Sequence, residues 1–274
     1  MSVENMANTS EDSVKRGKLI ALSFLVALSI FVQTIIRQGD PTVTRTIITA
    51  IIYFVISFVG IVWAFNFEVK IKSLPFLLHS ALFVMSEYLF IQLFFAQKFS
   101  RIYEGVLLLI LVILVFAGTY VSFLMSNVFN VNLYKGIPLV HVGRTTSYIV
   151  STLTVFFLTF SLLALQLPFF LLIPLIFAVS IFLSYIHLKN LGFKGFLLKR
   201  KTLLVSVLVS LLFLSSFLSG VLHELSALSP TVGYFVGIGV ANIRGNKMND
   251  IWEMILYIIA LIAVVFLNLF LNVL

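Results

Sequence analysis

Long apolar runs, separated by short polar connections, set the pattern of this chain. A helix needs about 20 apolar residues to cross the hydrocarbon core of a bilayer, and several runs reach that length. The runs are about twice as long as a barrel strand and do not alternate, so they predict helices. We predict eight membrane-spanning helices, near residues 18–36, 41–66, 74–95, 105–126, 147–166, 168–187, 202–222 and 251–274.

Helix-start signals support several of these boundaries. Asp40 and Ser73 are capping residues that stand just ahead of an early proline, which is a favoured way to begin a helix. Asp250, with Glu253 three residues later, has the spacing of a capping box. Residues 127–145, between the fourth and fifth spans, are more polar and predict a segment that lies along the membrane surface.

The stretch 226–243 is ambiguous, because it is apolar but is interrupted by Pro230, Gly233, Gly237 and Gly239. It is compatible with a re-entrant segment, a ninth span, or an outer loop packed on the bundle. Non-helical backbone at membrane depth survives only where protein or a water-filled cavity covers it. We predict eight spans, or nine if this stretch crosses.

Composition fixes the class of protein. The chain is 61% hydrophobic and 10% charged, with a mean hydropathy of +1.16, whereas soluble domains carry about 25% charged residues. We therefore predict an all-α integral membrane protein, a polytopic helical bundle, with a disordered polar N-terminus over residues 1–14 and a single transmembrane helical domain over 15–274. The absence of cysteine excludes disulfides, thiolate metal sites and cysteine nucleophiles.

The formal net charge of +8 reflects basic residues placed between the apolar runs. With eight spans and a cytoplasmic N-terminus, twelve of the 18 Lys and Arg residues face the cytoplasm, as the positive-inside rule requires. The bias is stronger for nine spans, because Arg244 and Lys247 then move inside. We predict a bacterial inner (cell) membrane location. Expected partners are the bilayer, anionic headgroups on the cytoplasmic side, and a membrane-protein partner or a second copy; nucleic acid is not expected.

Glu87 lies near the middle of the third run, where a charge costs about 2.5–3.5 kcal/mol on insertion scales. Helical spacing puts Ser80, Phe83, Val84 and Ile91 on the same face. Two interpretations stay open. The carboxylate binds a proton or cation inside the bundle, or it is a neutral carboxyl group that hydrogen-bonds a neighbouring helix.

His79 precedes Glu87 by eight residues, about 12 Å along a helix axis, so one small ion does not bridge the two directly. His79 is compatible with a hydrogen bond to a neighbouring helix or with a share in a polar site around Glu87. The four histidines form no pair at four-residue spacing, so the helical zinc motif is absent. We predict no cofactor and no metal site.

Basic residues near the predicted cytoplasmic surface are candidate contacts for anionic lipid headgroups. Most of them lie in the connection between the sixth and seventh spans. They are Arg144, Lys189, Lys194, Lys199, Arg200 and Lys201.

The stretch from Tyr120 to Phe160 holds a span ending in Asn-Val-Phe-Asn-Val, a basic surface stretch, and a span rich in Thr and Ser. This order resembles a family of bacterial multi-spanning membrane proteins with no assigned activity. The resemblance implies a polytopic membrane protein and no site residues. No catalytic constellation is present, so we predict a structural or accessory protein with lipid or protein partners. A proton- or cation-coupled transporter that uses Glu87 is the alternative. A membrane enzyme on a lipid-linked substrate, with His141 and Arg144 as phosphate contacts, is a second.

Overall fold

The computed structural model describes residues 3–36, 42–94, 102–135, 140–219, 223–243 and 248–271, and these residues are helical except for short turns. The helices are α1 (Val3–Ile36), α2 (Val43–Ala64), α3 (Leu74–Phe94), α4 (Ile102–Lys135), α5 (Val140–Ala164), α6 (Phe169–Asn190), α7 (Gly195–Ser219), α8 (His223–Ser226), α9 (Leu228–Asn242) and α10 (Met248–Leu271). Seven of them, α1 to α7, are long and apolar enough to cross a membrane. The predicted all-α, multi-pass membrane fold is confirmed.

The predicted spans each coincide with one long helix, but the polar stretch between the fourth and fifth spans is not a separate segment. α4 continues to Lys135 and α5 begins at Val140, so residues 127–135 and 140–145 belong to the two flanking helices. Asn130 lies inside α4 and its side chain is buried. Its amide nitrogen donates to the carbonyl oxygen of Glu68 at 3.1 Å.

The ambiguous stretch 226–243 is also helical. Pro230 is the third residue of α9, in the first turn, where no backbone N–H is needed. Two glycines allow close approach to α7: a Cβ atom at Gly237 would lie 3.2 Å from Val205, and one at Gly233 would overlap Leu212. Since residue numbers fall along α7 as they rise along α9, the two helices are antiparallel. α9 is about 22 Å long, shorter than the hydrocarbon core.

The chain divides into two compact units, Met1–Val150 and Ser151–Leu274. In the first unit α1 to α4 run alternately up and down. Leu22 of α1 packs against Gly60 of α2, and the Lys15 ammonium lies 2.9 Å from Glu68, so the two helices are antiparallel. α1 starts at Val3, within the stretch for which the sequence predicts a disordered tail.

Helix α3 is the central helix of the first unit. It contacts both α2 and α4. In the most apolar 18-residue stretch of α3, 67% is buried, whereas the corresponding value for α1, α2 and α4 is 33–39%. A helix buried on all sides has little face left for lipid. Polar side chains on α3 therefore meet other helices rather than hydrocarbon.

In the second unit α6 and α7 form a hairpin, and α9 packs between α7 and α10. Gly192, with φ of +93°, makes the hairpin turn, in a backbone region that glycine enters without strain. Tyr257 of α10 lies against Gly239, where a Cβ atom on α9 would overlap the tyrosine ring. Basic residues flank the α6–α7 turn, with Lys189 on α6, Lys194 in the turn itself, and Lys199, Arg200 and Lys201 on α7.

Candidate functional site

Glu87 is buried on α3, with 4% of its surface exposed. The hydroxyl of Thr119 on α4 donates to its Oε2 atom at 2.9 Å. Its Oε1 atom faces Gly118, where an added Cβ atom would lie 3.0 Å away. The carboxyl group is therefore held against α4 at a point where α4 presents a hydroxyl and a bare backbone.

Further polar contacts continue along the same face of α3. Ser80 and Ser126 have their hydroxyl oxygens 2.6 Å apart. Each hydroxyl also reaches a carbonyl oxygen on the opposite helix, Ser80 to Ser122 at 2.6 Å and Ser126 to Phe76 at 2.8 Å. Closer to the start of α3, Ser73 Oγ lies 2.9 Å from Asn130 Oδ1.

We call this line of contacts the α3–α4 seam. Its members are Ser73, Ser80 and Glu87 on one side and Thr119, Ser122, Ser126 and Asn130 on the other. All seven are at least 90% buried. In lipid, helices associate through close packing and interhelical hydrogen bonds, and the seam supplies both.

A buried amide at the other end of α3 joins this helix to α1. Gln92 Nε2 donates to Thr34 Oγ1 at 2.8 Å. On the α2 side, Tyr88 stacks on Tyr53 with ring centroids 4.6 Å apart, and the Tyr53 hydroxyl donates to Ser29 at 3.1 Å. Polar or aromatic contacts thus fix α3 to each of its neighbours.

A small cavity lies one turn from Glu87, between α1, α3 and α4. It has a volume of about 10 Å³, and Thr34 is the polar residue among apolar walls that include Ile91 and Val115. A cavity needs about 10–15 Å³ to hold a single water molecule. This cavity holds one water at most, so it does not provide a wet passage to the carboxyl group.

His79 is fully buried on α3, and the structure does not bring it to Glu87. α3 is continuous, so the eight-residue offset keeps the two about 12 Å apart along the axis. Within the described ranges, no group of three or more His, Asp and Glu side chains is placed to hold a metal ion. Glu87 has a partner on α4, and His79 belongs to a different part of the interior.

The basic candidates for lipid contact differ in their surroundings. Lys194, Lys199 and Arg200 are exposed around the α6–α7 turn, as is Lys189, whose ammonium lies 5.5 Å from the Tyr185 ring. Arg144 is half-buried near the start of α5, in the first unit.

Lys201 is turned inward. Its ammonium donates to the carbonyl oxygen of Ala241 at the end of α9 and lies 4.0 Å from the centre of the Phe193 ring. A cation is favoured at a helix C-terminus and over an aromatic face. This lysine is therefore fixed at the junction of α7 and α9.

Sequence reasoning missed Thr119, Gly118 and Gln92. A signal for Gly118 was available, because small residues recur every four positions on α4 at Gly118, Ser122 and Ser126. Such spacing is typical of a close helix interface in membranes.

The fold and the seam define a multi-pass helical membrane protein. Comparison with protein-family models, curated proteins and solved structures gives no match to this chain. The resemblance over residues 120–160 therefore stays a prediction.

Proposed function

We propose that this chain is a structural or accessory protein of the cell membrane that binds lipids or partner proteins, with its N-terminus on the cytoplasmic side. One observation supports this most: apart from the Ser122 hydroxyl, the polar side chains of the α3–α4 seam are hydrogen-bonded across the helix interface. Glu87, the residue best suited to carry a proton or cation, is enclosed there with Thr119.

The physical argument rests on how helices associate in lipid. In hydrocarbon there is no hydrophobic driving force between helices. Close packing at small residues and interhelical hydrogen bonds therefore decide how they associate. A buried carboxyl group is costly unless it has a partner, and α4 supplies one. On this reasoning Glu87 holds α3 and α4 in register.

A proton- or cation-coupled transporter is the second candidate. The observation in its favour is the close approach of the Gly118 backbone to the Glu87 carboxyl group. No side chain stands opposite Glu87 Oε1 at that position, so a small shift of α4 would uncover the carboxyl group. No comparable observation favours the enzyme alternative, because α5, which carries His141 and Arg144, contains no acidic residue.

Cysteine labelling separates the two candidates, because the chain contains no native cysteine. Glu87→Cys is made alone, and membranes are treated from each side with a membrane-impermeant maleimide. Ile71→Cys, at 89% exposed in the α2–α3 connection, is the accessible control. Leu114→Cys, at 62% exposed on the apolar surface of α4, is the lipid-facing control.

We expect Ile71→Cys to react from one side only. Glu87→Cys and Leu114→Cys should react only after denaturation. Reaction of Glu87→Cys in the folded protein, at a rate near that of Ile71→Cys, would show a water-filled route to α3 and would favour the transporter.

A further inference from the structure

The second unit contains a large apolar cavity between α7, α9 and α10, with a volume of about 400 Å³. This lies within the 300–1,000 Å³ range of small-molecule sites. Its lining residues are apolar except for Lys201, and they include Leu204, Leu208, Val236, Ala241 and Ile258. Among these lining residues, Lys201 alone carries a charge.

The charge lies at one end of the cavity. Lys201 and Ala241 mark that end, since the ammonium of the first donates to the carbonyl of the second. Leu208 and Val236 lie further along the antiparallel pair α7 and α9. Seven residues of α7 separate Lys201 from Leu208, so the apolar part is about 10 Å deep.

The cavity opens to the outside of the unit along α7 and α10. Leu204 is 59% exposed and Ile258 is 44% exposed, although both line it. In a membrane these side chains face hydrocarbon. A hydrophobic chain can therefore enter from the lipid phase without passing through water.

The volume of the cavity is too small to enclose a protein helix. A helix is about 10–12 Å across, so a segment of the same length would need about twice this volume. An extended acyl chain is far thinner and matches the apolar walls.

We propose that this cavity binds one acyl chain of an anionic phospholipid, with the phosphate of the headgroup beside Lys201. The contact with Ala241 and the Phe193 ring holds the ammonium at the mouth of the cavity, and its charge attracts the phosphate. The site depends on the membrane placement given under the proposed function, but not on the state of Glu87.

The test uses phosphatidylglycerol with a diazirine in one acyl chain, in nanodiscs that contain the full chain. Cross-linked peptides are mapped by mass spectrometry. We expect cross-links within residues 204–208, 236–241 and 258–261. Phosphatidylcholine with the same chain should label these residues about fivefold less, the factor expected for one basic group near anionic lipid.

Two variants and a control sharpen the result. Lys201→Met should reduce labelling by phosphatidylglycerol to the phosphatidylcholine level, while Lys199→Met, on an exposed side chain nearby, should leave it unchanged. Leu208→Trp enlarges a lining side chain about two helical turns from the lysine, and it should reduce labelling by both lipids. A melting curve for each variant confirms folding.

Equal labelling by the two lipids, or labelling spread over the lipid-facing surface, would overturn the proposal. Labelling of the cavity by a diazirine fatty acid but not by phosphatidylglycerol would also overturn it, in favour of a carboxylate ligand. None of these results bears on the labelling of Glu87→Cys, so failure of this site and failure of the proposed function remain distinguishable.

Discussion

The bond between Thr119 and Glu87 gives the sharpest test of the α3–α4 seam. Thr119→Val keeps the shape of the side chain and removes the donor that lies 2.9 Å from Glu87 Oε2. Interhelical hydrogen bonds in membranes contribute about 0.6 kcal/mol on average and about 1.7 kcal/mol at most. Leaving a buried acceptor without its donor brings the total cost to about 1–3 kcal/mol.

We therefore expect Thr119→Val to lower the free energy of unfolding by about 1–3 kcal/mol. Thr119→Ser, which keeps the hydroxyl, should cost less. Glu87→Leu removes the acceptor, so after this change Thr119→Val should have a much smaller effect. The expected coupling energy between the two positions is about 0.5–2 kcal/mol.

The assay is equilibrium unfolding in mixed micelles with a rising fraction of sodium dodecyl sulfate. Ser23→Ala serves as the control, because the Ser23 hydroxyl is buried but donates within its own helix, to Leu19 at 2.8 Å. Its effect should add to that of Glu87→Leu. A coupling energy below about 0.3 kcal/mol between positions 87 and 119 would refute the proposed role of the bond.

Three further outcomes are expected. Glu87→Gln should leave folding and the pH dependence of growth unchanged, because its amide oxygen still accepts from Thr119; loss of a pH-dependent uptake would contradict this. Gly239→Ala should destabilise the protein by about 1–3 kcal/mol, because the added methyl meets the Tyr257 ring, whereas Gly17→Ala, with nothing within 4 Å, should not; melting curves compare the two. A reporter fused to the C-terminus should lie on the opposite side of the membrane from the N-terminus, since α9 returns the chain to the end where α7 begins; the same side for both would support eight spans.

The positions of the long helices could be predicted because run length alone decides whether a helix spans. Which helix occupies the centre is harder, since apolarity does not say whether a side chain meets lipid or protein. The polar content of α3 was a usable signal: its mean hydropathy of 1.6 is the lowest of the seven candidate spans.

The partners of Glu87 could not be derived from the third run by itself. Thr119 lies 32 residues further on, and the pairing depends on the register of two antiparallel helices. The conformation of residues 226–243 could not be predicted for a different reason. Its glycines suggest irregular backbone, but two of them are places where α9 packs closely on α7.

The central position of α3 has a consequence for synthesis in the membrane. α3 leaves the ribosome before α4 exists, and at 5–20 residues per second the hydroxyl of Thr119 follows Glu87 after about 2–6 s. During that interval Gln92 and Tyr88 already have their partners, Thr34 and Tyr53, on the two helices made earlier. α1 and α2 therefore cover part of the polar surface of α3, the least apolar of the candidate spans, until α4 has been synthesised. A nascent chain cut between α3 and α4 would leave an uncompensated carboxyl group facing lipid, which makes it a natural substrate for membrane quality control.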